Sequence, residues 1–340
     1  MRTASCIAAA ALALCLGCAA RLEIGARQPR ARASTGANRV TSIVDWKRFA
    51  PNESGVVPIL EYHGISDKPS RYERTVKQFG SDLQKLYDLG YRPVLLERYL
   101  DNRIDAPLGT SPVIVTFDDS RASQFRYLPN GSIDPGCAVG IWQAFARMHP
   151  DFPLRATFFV VPGRSGDREF GTPSEAGAKL RWLLNAGCEL GDHTLTHPTL
   201  SHLADEQVQK EIAGCLAAIH KLAPGAQVDT LALPRGIAPR NRRLLAAGAY
   251  GRVSYSIRAV LLVGASPAPS PVSRRFRPMM LPRIQPVNGA FGMEFWLKDL
   301  QRHPGRRYVS DGDPLTVTVP AADAALVDRS RLNGATLRIY

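Results

Sequence analysis

Cysteine is scarce in this chain and badly placed for cross-linking. Six are present, and Cys6, Cys15 and Cys18 crowd into the first 18 residues. Only Cys137, Cys188 and Cys215 follow, an odd number with no close pair, which argues against a disulfide framework. Cys188 and Cys215 fall in expected secondary structure, where cysteine usually serves as a small buried apolar residue. Acidic residues are also short, 30 against 43 Lys and Arg, for a net charge of +13. No nucleic-acid-binding motif accompanies that charge. No internal repeat or carbohydrate-binding repeat is visible either.

What is present begins with a leader. Met1 to Cys18 carries one positive charge, Arg2, and then an apolar run through Gly17, too short for a spanning helix with anchors. It reads as a secretory signal and predicts an exported chain. Gly17-Cys18 resembles the end of a bacterial lipoprotein signal, although Cys15 stands where Leu is usual. Cys18 is therefore the expected lipidation site and would anchor the protein to the membrane of the cell envelope; the plainer alternative is cleavage near Ala19 or Ala20. Residues 19–45 read as a basic disordered tether, with five Arg and one Glu before residue 41 and no apolar periodicity. Arg2 and residues 19–40 together carry a net charge of +5, leaving +8 on residues 41–340. Such a surface suits anionic envelope polymers or lipid head groups, and export makes nucleic acid a poor partner.

The rest is organised around Val113–Ser120, VIVTFDDS, an apolar run delivering two carboxylates at its C-terminal end. In parallel α/β folds that end is where ligands bind. Neighbouring strand residues face opposite ways, so Asp118 and Asp119 are expected to do different work, one holding a metal and the other handling protons. Downstream, GDHTLTHPT places His193 and His197 four apart, able to reach one ion from a tight loop. Two histidines and one carboxylate leave a coordination position open, as in catalytic zinc sites. Alone, an Asp-Asp pair is more often a solvated turn, and such histidines a cap and a surface side chain.

Strand and helix alternate around these motifs. Val56–Tyr62, Arg92–Leu96, Ile114–Phe117, Ala156–Val161, Cys188–Gly191 and Thr230–Leu233 read as strands. Phe79–Leu89, Ile141–Met148, Ala178–Ala186 and a helix N-capped by Ser201, with Val208, Ile212, Cys215, Leu216, Ile219 and Leu222 on one face, lie between them. Beyond Ala265 the prolines of SPAPSPVSRRFRP, residues 266–278, exclude helix and central strand, residues 294–301 read as a short helix, and Leu315–Val319 as an exposed strand. The order implies an α/β fold with a largely parallel sheet. Periodicity alone allows an open doubly wound sheet as well as a barrel.

TFDDS followed by HTLTHP resembles the polysaccharide deacetylase family, the NodB-homology carbohydrate esterases, over about Val57 to Asp313. The resemblance implies a distorted, incomplete (β/α) barrel, with a catalytic domain over 46–320 and a C-terminal extension at 321–340. It also implies a metal-dependent hydrolase that removes N-acetyl groups from N-acetylhexosamine units of an envelope or extracellular polysaccharide. Asp119, His193 and His197 would hold a divalent metal, zinc by default, and Asp118 would be the general base. Leu231–Gly236, LALPRG, departs from the family's third motif, with Ala232 where Arg is usual and Arg235 where an aromatic is usual. The Arg235 backbone N–H can still serve an oxyanion, and Arg283 is the candidate replacement for the missing guanidinium. The family's late Leu-x-His motif, source of the acid, is absent. VPILEYHG resembles the opening strand of the permuted biofilm-polysaccharide deacetylase branch, so His63 is expected to supply the acid. The departures leave two alternatives: a catalytically weakened glycan-binding lipoprotein, and an esterase acting on O-acetyl groups.

Overall fold

The computed structural model describes residues 46–68, 70–163 and 169–340. The signal at 1–18, lipidation at Cys18 and the tether at 19–45 lie outside the described residues. The Ser111–Phe117 strand is buried at every position, as its apolar run requires. It pairs in parallel with Ile59–Tyr62 on one side and Thr157–Val160 on the other. Glu189–Asp192, Thr230–Ala232 and Ala259–Leu261 continue the sheet in that order, all parallel. Tyr91–Pro93 adds to the N-terminal half of the central strand.

Alternation along the strands divides the core in two. Val113, Val115 and Phe117 join Phe79, Trp142, Leu183 and Ile219 from the helices in the larger cluster. Ile59, Ile114, Phe159, Ala232 and Leu261 meet in a second cluster on the other face. Phe117 and Phe158 stack across neighbouring strands, with ring centroids 4.9 Å apart. Cys137, Cys188 and Cys215 are all buried and free.

The sheet curls, and Leu281–Ile284 spans the distance between its last and first strands. Leu281 exchanges hydrogen bonds with Val260 and Leu262, and Ile284 with Ile59 and Glu61. The sequence reading assigned no element to this stretch. Pro282 removes a single donor, while the N–H groups of Leu281 and Ile284 on either side still bond. The result is a distorted, incomplete (β/α) barrel whose seam carries Arg283.

Local chemistry explains the element ends. Thr75 Oγ1 accepts from Gln78 N at 3.1 Å, and Gln78 Oε1 accepts from Thr75 N at 2.9 Å, a capping box that starts helix Val76–Asp88. Such a cap contributes about 1 kcal/mol. The helix Asp205–Leu222 does not begin at Ser201, which lies in the short turn Leu200–His202; Gln207 Oε1 instead accepts from Ala204 N. Arg92–Leu96 is not one strand: pairing stops at Pro93, and Leu96 opens the helix Leu96–Leu100, whose first N–H groups are taken by Glu189. Nor is the strand Thr316–Val319 exposed, because Thr336–Ile339 returns in parallel beside it and its last three residues are buried.

Candidate metal centre and active site

Every functional side chain lies at the C-terminal ends of the parallel strands. Asp118 extends the central strand, its N–H donating to Tyr62 O at 2.9 Å. Asp119 then turns to φ 82° and Ser120 to φ 52°. This left-handed pair breaks the alternation expected of a strand, so both carboxylates line one cleft. Thr194, His197 and Arg235 are also left-handed, at φ 66°, 60° and 59°. Strained non-glycine backbone thus recurs in all three loops around the cleft, the pattern of a functional site held by its surroundings.

Hydrogen bonds supply that hold. Ser120 Oγ accepts from Val161 N at 2.8 Å. Buried Gln124 donates through Nε2 to the carbonyls of His63 and Asp118, tying two strand ends together. The HTLTHP loop is fixed by Glu211, which accepts from Thr196 N at 2.7 Å and Thr196 Oγ1 at 2.8 Å, and by Thr194 Oγ1, which accepts from His197 N.

Asp119, His193 and His197 converge, one ligand atom from each lying within 4.8 Å of the others. Asp119 Oδ1 is 3.7 Å from His193 Nε2 and 3.5 Å from His197 Nε2. His193 Nδ1 stands 2.8 Å from Ala232 O, where only a protonated nitrogen can donate. The lone pair is therefore on Nε2, facing Asp119, the tautomer a metal ligand requires. Asp119 Oδ2 accepts from Arg121 Nη2 at 3.0 Å, which orients the carboxylate with Oδ1 toward the histidines. Donor type, tautomer and convergence all fit a divalent cation.

Asp118 belongs to a different network. Arg283, fully buried, grips it with two parallel bonds, Nη1 to Oδ1 and Nη2 to Oδ2, both 2.7 Å. Arg283 also donates to Thr116 Oγ1 at 3.0 Å and Leu262 O at 2.7 Å. Burial pushes the Asp118 carboxyl up, but Arg283 foremost and then His193 outweigh it and hold the group below the ordinary aspartate value. Ala232 contributes only its carbonyl, and the guanidinium arrives from the barrel seam instead.

His63 ends the first strand, 13% exposed, with its ring edge-on to Tyr72. Burial pushes its imidazole down to about 4, against the opposing pull of Asp118 and Asp119. Glu61 Oε1 lies 3.9 Å from His63 Nε2 and 3.7 Å from Arg283 Nη2, and burial raises the Glu61 carboxyl to about 7. Arg235 sits at the rim of the same cleft, exposed, with its side chain on Thr199 Oγ1.

Sequence reasoning named Asp118, Asp119, His193, His197, His63, Arg235 and Arg283, and all of them line the cleft or contact a residue that does. It missed Glu61, Arg121, Gln124 and Glu211. Glu61 left a signal, a lone acid in the otherwise apolar VVPILEY, where a buried charge is rare unless paired.

Fold and cleft define a class: an α/β barrel with a two-histidine, one-carboxylate cation site beside an arginine-clamped acid. Residues 105–251 match the family model described as polysaccharide deacetylase. That match spans somewhat less than half of the chain and takes in both the TFDDS and the HTLTHP motifs. A chitooligosaccharide deacetylase of Sinorhizobium fredii is 32% identical over 82 residues, which is 24% of this chain and 34% of that protein, so the match spans about a third of the relative's length. Among solved structures, the Streptococcus pyogenes deacetylase PplD, in complex with acetate, aligns with TM-score 0.50 at 18% identity, over 73% of this chain and 97% of that one. BC0361, a polysaccharide deacetylase from Bacillus cereus, aligns with TM-score 0.50 at 16% identity, over 73% and 68%. At such identities these two likenesses speak for the fold.

Proposed function

We propose that this chain is a metal-dependent N-deacetylase acting on N-acetylhexosamine units of an envelope or extracellular polysaccharide. The observation that carries the reading is the pairing of two networks: Asp119, His193 and His197 converge beside Asp118, which Arg283 keeps ionised. The family-model match over residues 105–251 and the S. fredii relative support the substrate class. The signal-like leader and Cys18 support an exported, membrane-anchored protein.

Asp119, His193 and His197 would hold the cation, zinc by default for this donor set. When bound, a divalent cation supplies Lewis-acid polarisation of the acetamide carbonyl and a more acidic water. Asp118, charged at neutral pH, accepts the proton released by the attacking water. Arg283 fixes the orientation of that carboxylate and prevents its neutralisation. The backbone N–H of Arg235 is a candidate donor to the developing oxyanion. His63, neutral at rest, receives from Asp118, whose carboxylate lies within 4.8 Å, the proton taken from water and gives it to the leaving amine, which returns both groups to their starting state; Glu61 beside it stabilises the imidazolium formed in between.

The weakened-binder reading rested on the departures at Ala232 and Arg235, and the clamp on Asp118 from Arg283 answers the first of them. Acetate release from N-acetylglucosamine oligomers tests the proposal. The expected result is activity lost in chelator, restored by zinc and absent in Asp118→Asn. Release that persists through chelation and substitution refutes the mechanism, and release from O-acetylated glycans alone favours the esterase.

A further inference from the structure

Arg121, the residue directly after TFDDS, is shared between two carboxylates. Its Nε and Nη2 donate to Asp119 Oδ2 at 3.2 and 3.0 Å, and its Nη1 pairs with Glu73 Oε1. Glu73 comes from a distant segment, 48 residues earlier, on the short strand Glu73–Arg74 that lies parallel to Gly64–Ile65. Gly64 keeps the space for that carboxylate, because a Cβ there would collide with Glu73 Oε2. Gly64 is not among the left-handed glycines, so its backbone would accept alanine, and room is what the position requires. Side-chain exposure falls from 24% at Arg121 and 19% at Glu73 to 5% at Asp119, so the three charges are only partly screened by solvent.

Asp119 faces the two histidines through Oδ1 and the guanidinium through Oδ2. One carboxylate thus serves two positive charges, that of Arg121 and that of the divalent cation whose donor set it completes. A guanidinium so placed repels a divalent cation and draws donor strength from the carboxylate between them. Glu73 supplies the charge that offsets it. We infer that Glu73 is a positioning residue for the cation site, acting at one remove: by neutralising Arg121 it lets the guanidinium orient Asp119 without lowering the affinity of the site for a divalent cation. Gly64 is part of the same device, since it holds the space in which the Glu73 carboxylate meets Arg121. The inference rests on the cation-site reading of Asp119, His193 and His197.

Zinc affinity of the metal-stripped chain, measured by calorimetric titration, tests the inference in a double-mutant cycle of Glu73→Gln and Arg121→Gln. Glu73→Gln leaves Arg121 uncompensated and is expected to weaken zinc binding about ten-fold, the lower end of the losses that follow when a group behind a metal ligand is removed. In the Arg121→Gln background the same substitution should change affinity by no more than about two-fold, because no positive charge is left to offset. A purely structural role for Glu73 would produce the same loss in both backgrounds. Thermal midpoints of the metal-free variants show that each is folded. Should Glu73→Gln not fold, Gly64→Ala takes its place, since it displaces the same carboxylate and changes no charge; zinc affinity unchanged there overturns the inference. Zinc bound equally well by the native chain and Glu73→Gln, or a loss of equal size in both backgrounds, overturns it while the cation site stands. A native chain that binds no zinc overturns the site and the inference together.

Discussion

Two buried carboxylates, Asp118 and Glu53, are each 2% exposed and yet meet opposite fates. Asp118 faces the guanidinium of Arg283 and is held charged, below its ordinary value. Glu53 sits beneath the strand Thr316–Val319, accepting from Thr318 N at 2.9 Å and Asp311 N at 3.2 Å. Burial first, and the neighbouring acid Asp311 second, raise it to about 8. Desolvation acts on both groups; the sign of the nearest charge separates them. A buried acid stays ionised at neutral pH only where the fold brings it a counter-charge, and here the barrel seam does so.

That contrast can be broken from either side. Asp118→Asn removes the base and is expected to lower acetate release by roughly a thousand-fold, in the range of general-base losses; steady-state rates check it. Arg283→Met strands Asp118 without its clamp. Destabilisation of about 3–5 kcal/mol, read in denaturant midpoints, and a large loss of activity are expected, because a buried charge loses its partner. Arg283→Lys should not rescue it, since an ammonium cannot make two parallel bonds. Glu211→Ala loosens the histidine loop and should weaken zinc binding about ten-fold or more, with Asp118 untouched.

The smallest effect concerns Glu53. Its folded value, about 8, lies above the unfolded value of 4.5, so the stability it contributes is fully present below pH 4.5 and is lost as pH rises through 8. Glu53→Gln should flatten the decline of thermal midpoint across that window, even if the midpoint itself drops. An equally steep decline in the variant would show that Glu53 is already charged in the fold, and the contrast with Asp118 would vanish.

The sequence made the candidate cation ligands legible because they sit in two short motifs, TFDDS and HTLTHP. It pointed to Arg283 only through a gap, the alanine at 232. What supports these residues was hidden for a physical reason. Gln124, Arg121 and Glu211 act through long-range or loop hydrogen bonds, which leave no periodic trace. The seam at Leu281–Ile284 is too short to show an apolar period, and its bonds run to strands far away in the chain. The strand Thr316–Val319 looked exposed because the strand that covers it, Thr336–Ile339, comes later in the chain. The barrel itself was readable from the alternation of strand and helix, but its choice over an open sheet came from resemblance.

The most direct test of the central claim is a calorimetric titration of metal-stripped protein with zinc, on the native chain and on His197→Ala. The account predicts one equivalent bound by the native chain and at least a hundred-fold loss of affinity in the variant. One equivalent bound equally well by both would place the cation elsewhere and contradict it.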